Sequence, residues 1–143
     1  MITLAFYTGT GRPVDWIVRA WTCETVSHVE LVCGTAESGG AVTAFRALGA
    51  SPRDGGVRET WIAIRPGHWR FVRVPGDHVE AAAFIRALTG APYDWPAIWG
   101  WHVLGWRGCH RPGAWLCSEI VAHAIGRPHL AHLNPGALER ALT

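Results

Sequence analysis

The sequence contains no lysine, so all 13 of its strongly basic side chains are arginines. Only 17% of the residues are charged, the formal net charge is +2, and the arginines form no continuous run. A protein that binds nucleic acid usually concentrates basic residues on one stretch or face, so we expect no nucleic-acid partner. Hydrophobic residues make up 49% of the 143 positions, and this length and composition predict a single compact domain over residues 1–143.

The sequence also lacks the segments that direct proteins to a membrane. Residues 1–6 carry no charged side chain, so we expect no secretory signal peptide. No apolar run is long enough for a transmembrane helix. These absences predict a cytoplasmic protein made in a reducing environment, in which cysteines stay free rather than paired. The cysteines are Cys23, Cys33, Cys109 and Cys117.

Motifs for metal binding and for serine nucleophiles are missing as well. The sequence has no Cys-x-x-Cys or His-x-x-x-His pair, so we expect neither a zinc site nor any other cofactor. His129 and His132 lack a partner at ligand spacing, whereas His102 and His110 either line a cleft or lie at the surface. A Gly-x-Ser-x-Gly nucleophile elbow is also absent.

The stretch 114–126 contains the clearest candidate nucleophile. From Cys117 onward, apolar residues recur at i, i+3, i+4 and i+7, and Gly126 supplies a helix stop. Cys117 therefore falls in the first helical turn, where the helix dipole and free N–H groups favour the nucleophilic thiolate. Ser118 and Glu119 are expected to stabilise that first turn rather than to take part in catalysis. The alternative is that Cys117 is a small core residue, as many free cysteines are.

Residues 27–33 alternate in polarity and predict a strand. Val29, Leu31 and Cys33 fall on the face expected to pack in the core, and His28 and Glu30 fall on the other. One interpretation of this pair is a solvent-facing polar edge. The other is that the sheet holds the imidazole opposite the cysteine helix, where it would take the thiol proton and return it to a leaving group.

The remaining pattern predicts an α+β fold with an antiparallel sheet and helices on one side. A loop is expected at 37–40, and a helical segment broken by Gly and Pro at 93–106. The other predicted strands cover 2–7, 41–47, 60–64 and 68–74. The predicted helices cover 13–22, 81–89, 114–126 and 135–142.

Three short motifs, taken in order, resemble one known family. They are Ser-His-Val-Glu at 27–30, Tyr-Asp-Trp at 93–95, and Leu-Cys-Ser-Glu-Ile-Val-Ala-His-Ala at 116–124. This order resembles that of the circularly permuted NlpC/P60 proteins, papain-like cysteine hydrolases in which the histidine strand precedes the cysteine helix. The similarity is to their YiiX/YebB-like and phage- or prophage-encoded members.

The resemblance implies a role for individual residues. Cys117 matches the nucleophile and His28 the base. The residue that orients the histidine usually lies on the following strand, where this sequence has no carboxylate or histidine. We therefore choose Glu30, which shares a face with His28, and keep Ser51 in reserve. Tyr93 matches a family tyrosine near the cysteine, which implies either a part in the oxyanion site with the Cys117 backbone N–H or simple packing against tryptophans.

The resemblance also implies a function, with two alternatives left open. The first expectation is a cysteine peptidase or amidase, a thiol hydrolase that cleaves a small amide such as a peptidoglycan-type peptide through a thioester acyl-enzyme. The second is a thiol acyltransferase or lipid-acyl hydrolase of the lecithin-retinol-acyltransferase-like type. The third is a non-catalytic phage or cell-wall binding module that keeps the fold.

The expected partner is a small peptide or acyl substrate. Nine tryptophans are many for this length, and exposed ones would mark either a substrate cleft or a homodimer face. Five of them lie near the cysteine: Trp95, Trp99, Trp101, Trp106 and Trp115. Without a signal peptide, an enzyme of this kind would act in the cytoplasm or be released as a phage-associated protein.

Overall fold

A computed structural model describes residues 1–9, 25–103 and 110–143 of the chain. They form an α+β fold built on a five-stranded antiparallel sheet, in the order β4-β3-β2-β1-β5. The strands are β1 (Ile2–Tyr7), β2 (His28–Ser38), β3 (Ala41–Ser51), β4 (Gly56–Ala63) and β5 (Trp69–Val74). The predicted coarse class, an antiparallel sheet packed against helices, is confirmed.

Within the described residues, four α-helices follow the strands. They are α1 (His78–Ala87), the short α2 (Trp95–Ala97), α3 (Cys117–Ala124) and α4 (Pro135–Leu142), with a π-helix at Ile98–Val103 and a 3₁₀ turn at Pro128–Leu130. The predicted helix over 13–22 lies outside the described residues, as do positions 104–106 of the predicted broken segment. No helix in the described part of the chain has the length and apolar character needed to cross a bilayer.

Strands β2 and β3 extend beyond their predicted ends. Glu37, expected in a loop, lies in β2, and the turn falls at Gly39 and Gly40, whose φ angles are 60° and 81°. The predicted end of β3 at residue 47 was also wrong, because the strand continues to Ser51 and residues 47–51 are all buried. Both faces of the sheet are covered there, so the polar alternation that identifies a half-exposed strand disappears from the sequence.

The helices cover one face of the sheet and form the main core with it. Leu4, Phe6 and Leu31 from the strands are fully buried against Ile85 of α1 and Ile120 of α3. The helix that carries Cys117 packs against β2, α1 and β3, so this core fixes its position relative to the strand that begins at His28.

The other face of the sheet is concave. Phe45 on β3 and Trp69 on β5 pack edge to face with ring centroids 5.0 Å apart, although β2 and β1 lie between β3 and β5 in the sheet. In a flat sheet, three strand spacings would place them roughly 14 Å apart. The sheet therefore curls strongly, and the buried Ala5 and Val32 on the intervening strands form a second buried cluster with Phe45.

Candidate active site

Cys117 is the first residue of α3, as the sequence predicts. The residue before it, Leu116, is extended with φ −90° and ψ 157°, so the helix begins abruptly at the cysteine. Glu119 accepts a hydrogen bond from the Leu116 N–H at 3.2 Å, which is the role in the first turn expected of it. The first N–H groups of a helix have no intrahelical acceptor, so the thiol sits among free donors at the positive end of the dipole.

His28 begins β2, and the structure brings its imidazole close enough to the Cys117 side chain for the sulfur to raise the pKa of the histidine. The two residues are distant in sequence. The core under the sheet holds both, since Val29 beside His28 and Ile120 beside Cys117 belong to one buried cluster. The predicted pairing of the strand histidine with the helix cysteine is therefore present as a contact.

Glu30 lies on the same face as His28 and is completely buried. Its Oε1 is 2.5 Å from His28 Nε2. The interpretation of this pair as a solvent-facing polar edge is wrong, because the concave curl of the sheet covers that face. Since Glu30 occupies Nε2, the other ring nitrogen, Nδ1, is left to exchange a proton with the thiol.

Arg58 on β4 is the site residue that the sequence analysis missed. Its guanidinium donates to both carboxylate oxygens of Glu30, at 2.7 Å and 2.8 Å, and to Asp54 at 2.7 Å. This fork holds the carboxylate in a fixed orientation. The sequence carried no signal for it, because the need for a cation follows from the burial of Glu30, which only the structure shows.

The charged groups in this cluster shift each other's pKa values. Burial lowers the pKa of His28, but the Glu30 carboxylate and the Cys117 sulfur outweigh it and raise the pKa from 6.5 to about 10. Burial raises the pKa of Glu30, but His28 and Arg58 outweigh it and the pKa is lowered. At neutral pH the histidine is therefore an imidazolium and the glutamate a carboxylate.

Tyr93 is the second side chain close to the thiol. It is 5% exposed and lies near enough to Cys117 for the sulfur to affect its pKa. Burial first, and then the interaction with the Cys117 side chain, raise the pKa of Tyr93 well above its usual value. The hydroxyl consequently stays protonated and remains a donor beside the sulfur.

Ser51, the reserve candidate for orienting the histidine, does not replace Glu30. It is buried at the end of β3, and its hydroxyl is hydrogen-bonded to Asp54. The carboxylate that touches His28 is that of Glu30.

Asp94 connects the tyrosine segment to the cysteine helix. It is fully buried and accepts from the N–H groups of Ala97 at 3.1 Å and Arg111 at 3.0 Å, while His110 Nδ1 lies 2.6 Å from its Oδ2. A backbone bridge between Tyr93 and Trp115 runs beside it. This network holds Tyr93 against the start of α3. His110 belongs to the network and is not among the cleft-lining residues.

A cleft of about 370 Å³ opens on the concave face beside these groups. His28, Glu30 and Tyr93 line it, together with Arg58. Cys117 is 4% exposed and is not itself a lining residue. Two of the lining residues, His28 and Tyr93, interact with the Cys117 side chain, so the thiol lies next to the cleft.

Of the four cysteines, Cys33 and Cys117 lie in the described part of the chain, and both are free thiols. Cys23, Cys109 and the side chain of His102 lie outside it. Within the described ranges, no group of three or more His, Cys, Asp or Glu side chains is arranged to hold a metal ion.

Comparison of the chain with family models, with curated proteins and with solved structures finds no match. The arguments for function below therefore depend on the geometry of the site.

Proposed function

We propose that this protein is a cysteine hydrolase of the circularly permuted, papain-like NlpC/P60 type, which cleaves a small amide through a thioester acyl-enzyme. The observation that carries the proposal is the chain of contacts Cys117–His28–Glu30–Arg58. A thiol, an imidazole and a carboxylate in series are the parts that nucleophilic catalysis by cysteine requires. A peptide of the peptidoglycan type is the substrate class that the family resemblance favours.

In the first half-reaction, the Cys117 thiolate attacks the carbonyl carbon of the amide. The C–N bond breaks as the His28 imidazolium gives its proton to the leaving nitrogen, and an amine departs. The products of this step are a thioester on Cys117 and a neutral His28.

In the second half-reaction, His28 takes a proton from water, and the resulting hydroxide attacks the thioester carbonyl. The S–C bond breaks, the carboxylic acid leaves and loses its proton to solvent, and the thiolate–imidazolium pair is restored. Glu30 stabilises the imidazolium at the start and at the end of the cycle, and Arg58 keeps Glu30 in place.

Each half-reaction passes through a tetrahedral oxyanion. The Cys117 backbone N–H at the start of α3 and the protonated hydroxyl of Tyr93 are two donors near the sulfur that could bind this oxyanion. Donors fixed in place before the reaction stabilise developing charge without reorganisation.

One observation favours the acyltransferase or lipid-acyl hydrolase alternative. Apolar side chains form part of the cleft lining, among them Trp61, Ile62, Trp69 and Ile98. Such a surface fits the methylene groups of an acyl ester at least as well as a peptide. An acyl ester and a peptide would react by the same thiol chemistry, and the two substrates differ in their leaving group.

The test is to trap the acyl-enzyme. The protein is incubated with a panel of p-nitroanilide amides and p-nitrophenyl esters, and the intact mass is measured after rapid acid quench. We expect an adduct that maps to Cys117 and is absent in Cys117→Ser and His28→Ala, with Cys33→Ser, the other described free thiol, as the matched control that retains it. Adducts from esters alone would favour the acyl hydrolase.

Failure to form any adduct, combined with a Cys117 that is inert to iodoacetamide at neutral pH, would contradict both enzymes. That result would support the non-catalytic binding module.

A further inference from the structure

The wall of the cleft carries more positive than negative charge. Three arginines line it, Arg53, Arg58 and Arg65, and Glu30 is the one carboxylate among the described lining residues. The charge of Glu30 is already matched, because His28 lies 2.5 Å from it and Arg58 lies 2.7 Å from it. The other two arginines are therefore not balanced by an acid in the cleft wall.

The nearest acid outside the wall, Asp54, is also largely engaged. It accepts from Arg58 at 2.7 Å, whereas its separation from Arg53 is 3.7 Å in an exposed pair. A pair of that kind contributes little, about 0–1 kcal/mol. Within the part of the chain that the structure describes, no carboxylate lies within ion-pair distance of Arg65. Arg53 and Arg65 thus leave positive charge available to a ligand.

The cleft lining also has an apolar part. Trp61, Ile62 and Trp69 belong to it together with the arginines, and the cleft volume is about 370 Å³. That volume lies at the small end of the range for pockets that enclose a small molecule. The cleft therefore offers space for a short apolar chain with an anion at its end.

We propose that the acyl group transferred to Cys117 ends in an anionic group, a carboxylate or a phosphate, which Arg53 and Arg65 bind. This proposal rests on the proposed function, because it names the substrate class of the same site. Guanidinium groups present paired donors that match the oxygens of both anions. A neutral acyl group of the same length would leave these charges without a partner in the cleft.

The first test compares isosteric acyl donors. The kcat/KM for hydrolysis of N-succinyl-p-nitroanilide is measured against the N-butyryl and methyl-succinyl compounds. We expect at least a tenfold preference for the succinyl compound, which falls severalfold in Arg65→Gln and Arg53→Gln and disappears in the double variant. The control, Arg73→Gln, changes an exposed arginine of β5 that is not a cleft residue, and should leave the preference intact. Equal or better turnover of the neutral donors would overturn the proposal.

The second test does not depend on turnover. The Cys117→Ala protein is titrated with succinate, inorganic phosphate and neutral succinamide, and binding is followed by chemical-shift changes. We expect an anion to bind at least fivefold more tightly than succinamide and to lose that advantage in Arg65→Gln, and the tighter of the two anions identifies the group. Equal binding of anion and amide would contradict the anion site. Arginine-dependent binding in a protein that hydrolyses no donor would instead contradict the hydrolase and leave the anion site standing.

Discussion

Gly49 leaves open the space next to the Glu30 carboxylate: a Cβ at position 49 would lie 2.5 Å from Glu30 Oε2 and 3.3 Å from its Cδ. The carboxylate cannot easily move aside, because Arg58 and His28 hold both of its oxygens. The φ angle of Gly49 lies outside the left-handed region. Glycine is therefore needed at position 49 because a larger side chain would collide with Glu30, and not because of its backbone conformation.

Gly49→Ala should accordingly damage the site from a position that touches no substrate. The added methyl group displaces Glu30, so the pKa of His28 falls from about 10 and kcat/KM drops by about tenfold or more. We also expect unfolding free energy to fall by about 1–3 kcal/mol, as is usual for overpacking. Steady-state kinetics, NMR titration of the His28 ring and denaturant unfolding measure the three effects.

The matched control for this change is Gly34→Ala on β2. A Cβ there would meet Arg46 Nε at 3.6 Å, an ordinary van der Waals contact. Activity and the His28 titration should stay as in the parent protein. A Gly49→Ala protein with full activity and an unchanged His28 pKa would mean that the Glu30 carboxylate is not confined in this way.

Glu30→Gln removes the negative charge that contributes most to raising the pKa of His28. We expect that pKa to fall toward its ordinary value, and kcat to drop by about 10²–10⁴-fold because the imidazolium loses its stabilising partner. Stability should also fall, by about 3–5 kcal/mol, because the buried charges of His28 and Arg58 lose the carboxylate that they share. NMR titration, kinetics and chemical denaturation are the measurements.

Asp54→Asn separates the effect on the His28 pKa from the effect on stability. It removes the other acidic partner of Arg58, at 2.7 Å, without touching His28. We expect a modest loss of stability and a His28 pKa still near 10. An equal fall of that pKa in both variants would show that Glu30 does not act on His28 directly.

Much of this site could be predicted from local sequence. The position of Cys117 follows from apolar spacing and from the Gly126 stop, whose φ is 71° in the structure. The Asn134 cap predicted for the last helix is present, with its side chain accepting from Ala137 N–H at 2.8 Å. These features depend on residues within a few positions of one another, so periodicity and capping rules capture them.

The features that could not be predicted depend on how the sheet curls. The contact of Arg58 with Glu30 crosses from β4 to β2, two strands away. The burial of Glu30 and of residues 47–51 has the same origin, since curvature covers a face that alternation alone would leave to solvent. β-Bulges bend a sheet, and the pairing of β2 with β3 has register shifts between Val32 and Gly34 and between Ala36 and Glu37. No local sequence pattern identifies where such shifts will fall.

Tyr93→Phe tests the second oxyanion donor. The ring keeps its packing against Trp95, with centroids 5.3 Å apart, while the hydroxyl next to Cys117 is lost. We expect kcat to fall by about 10²–10³-fold, as for loss of an oxyanion donor in other enzymes, with little change in KM. A rise in KM alone, with kcat unchanged, would assign Tyr93 to substrate binding.

Asp94→Ala tests the network between the tyrosine segment and the cysteine helix. It deprives the Ala97 and Arg111 N–H groups and His110 of their acceptor, so we expect a loss of about 2–4 kcal/mol in unfolding free energy. Activity per folded molecule should also fall, because Tyr93 is no longer held at α3. Asn134→Ala is the control: it removes a helix cap remote from the site, costs about 1 kcal/mol and should leave that activity unchanged.

The pH dependence of stability should follow the two shifted groups beside the thiol. The folded-state pKa of His28 is about 10 against 6.5 ordinarily, so its contribution is fully present below pH 6.5 and is lost as the pH rises through 10. The pKa of Glu30 is lowered from 4.5, so its contribution is present above pH 4.5 and is lost as the pH falls through the folded-state pKa.

Unfolding free energy should therefore be greatest at about pH 5–6.5 and should decline toward pH 10, by an amount on the order of a few kcal/mol from His28. In His28→Gln, which keeps a donor toward Glu30 but does not titrate, that decline should shrink while the acid limb remains. Thermal unfolding of both proteins from pH 4 to pH 10 measures this difference. Parallel curves for the two proteins would mean that His28 is not held as an imidazolium in the folded state, and the proton needed by the leaving group would have to come from elsewhere.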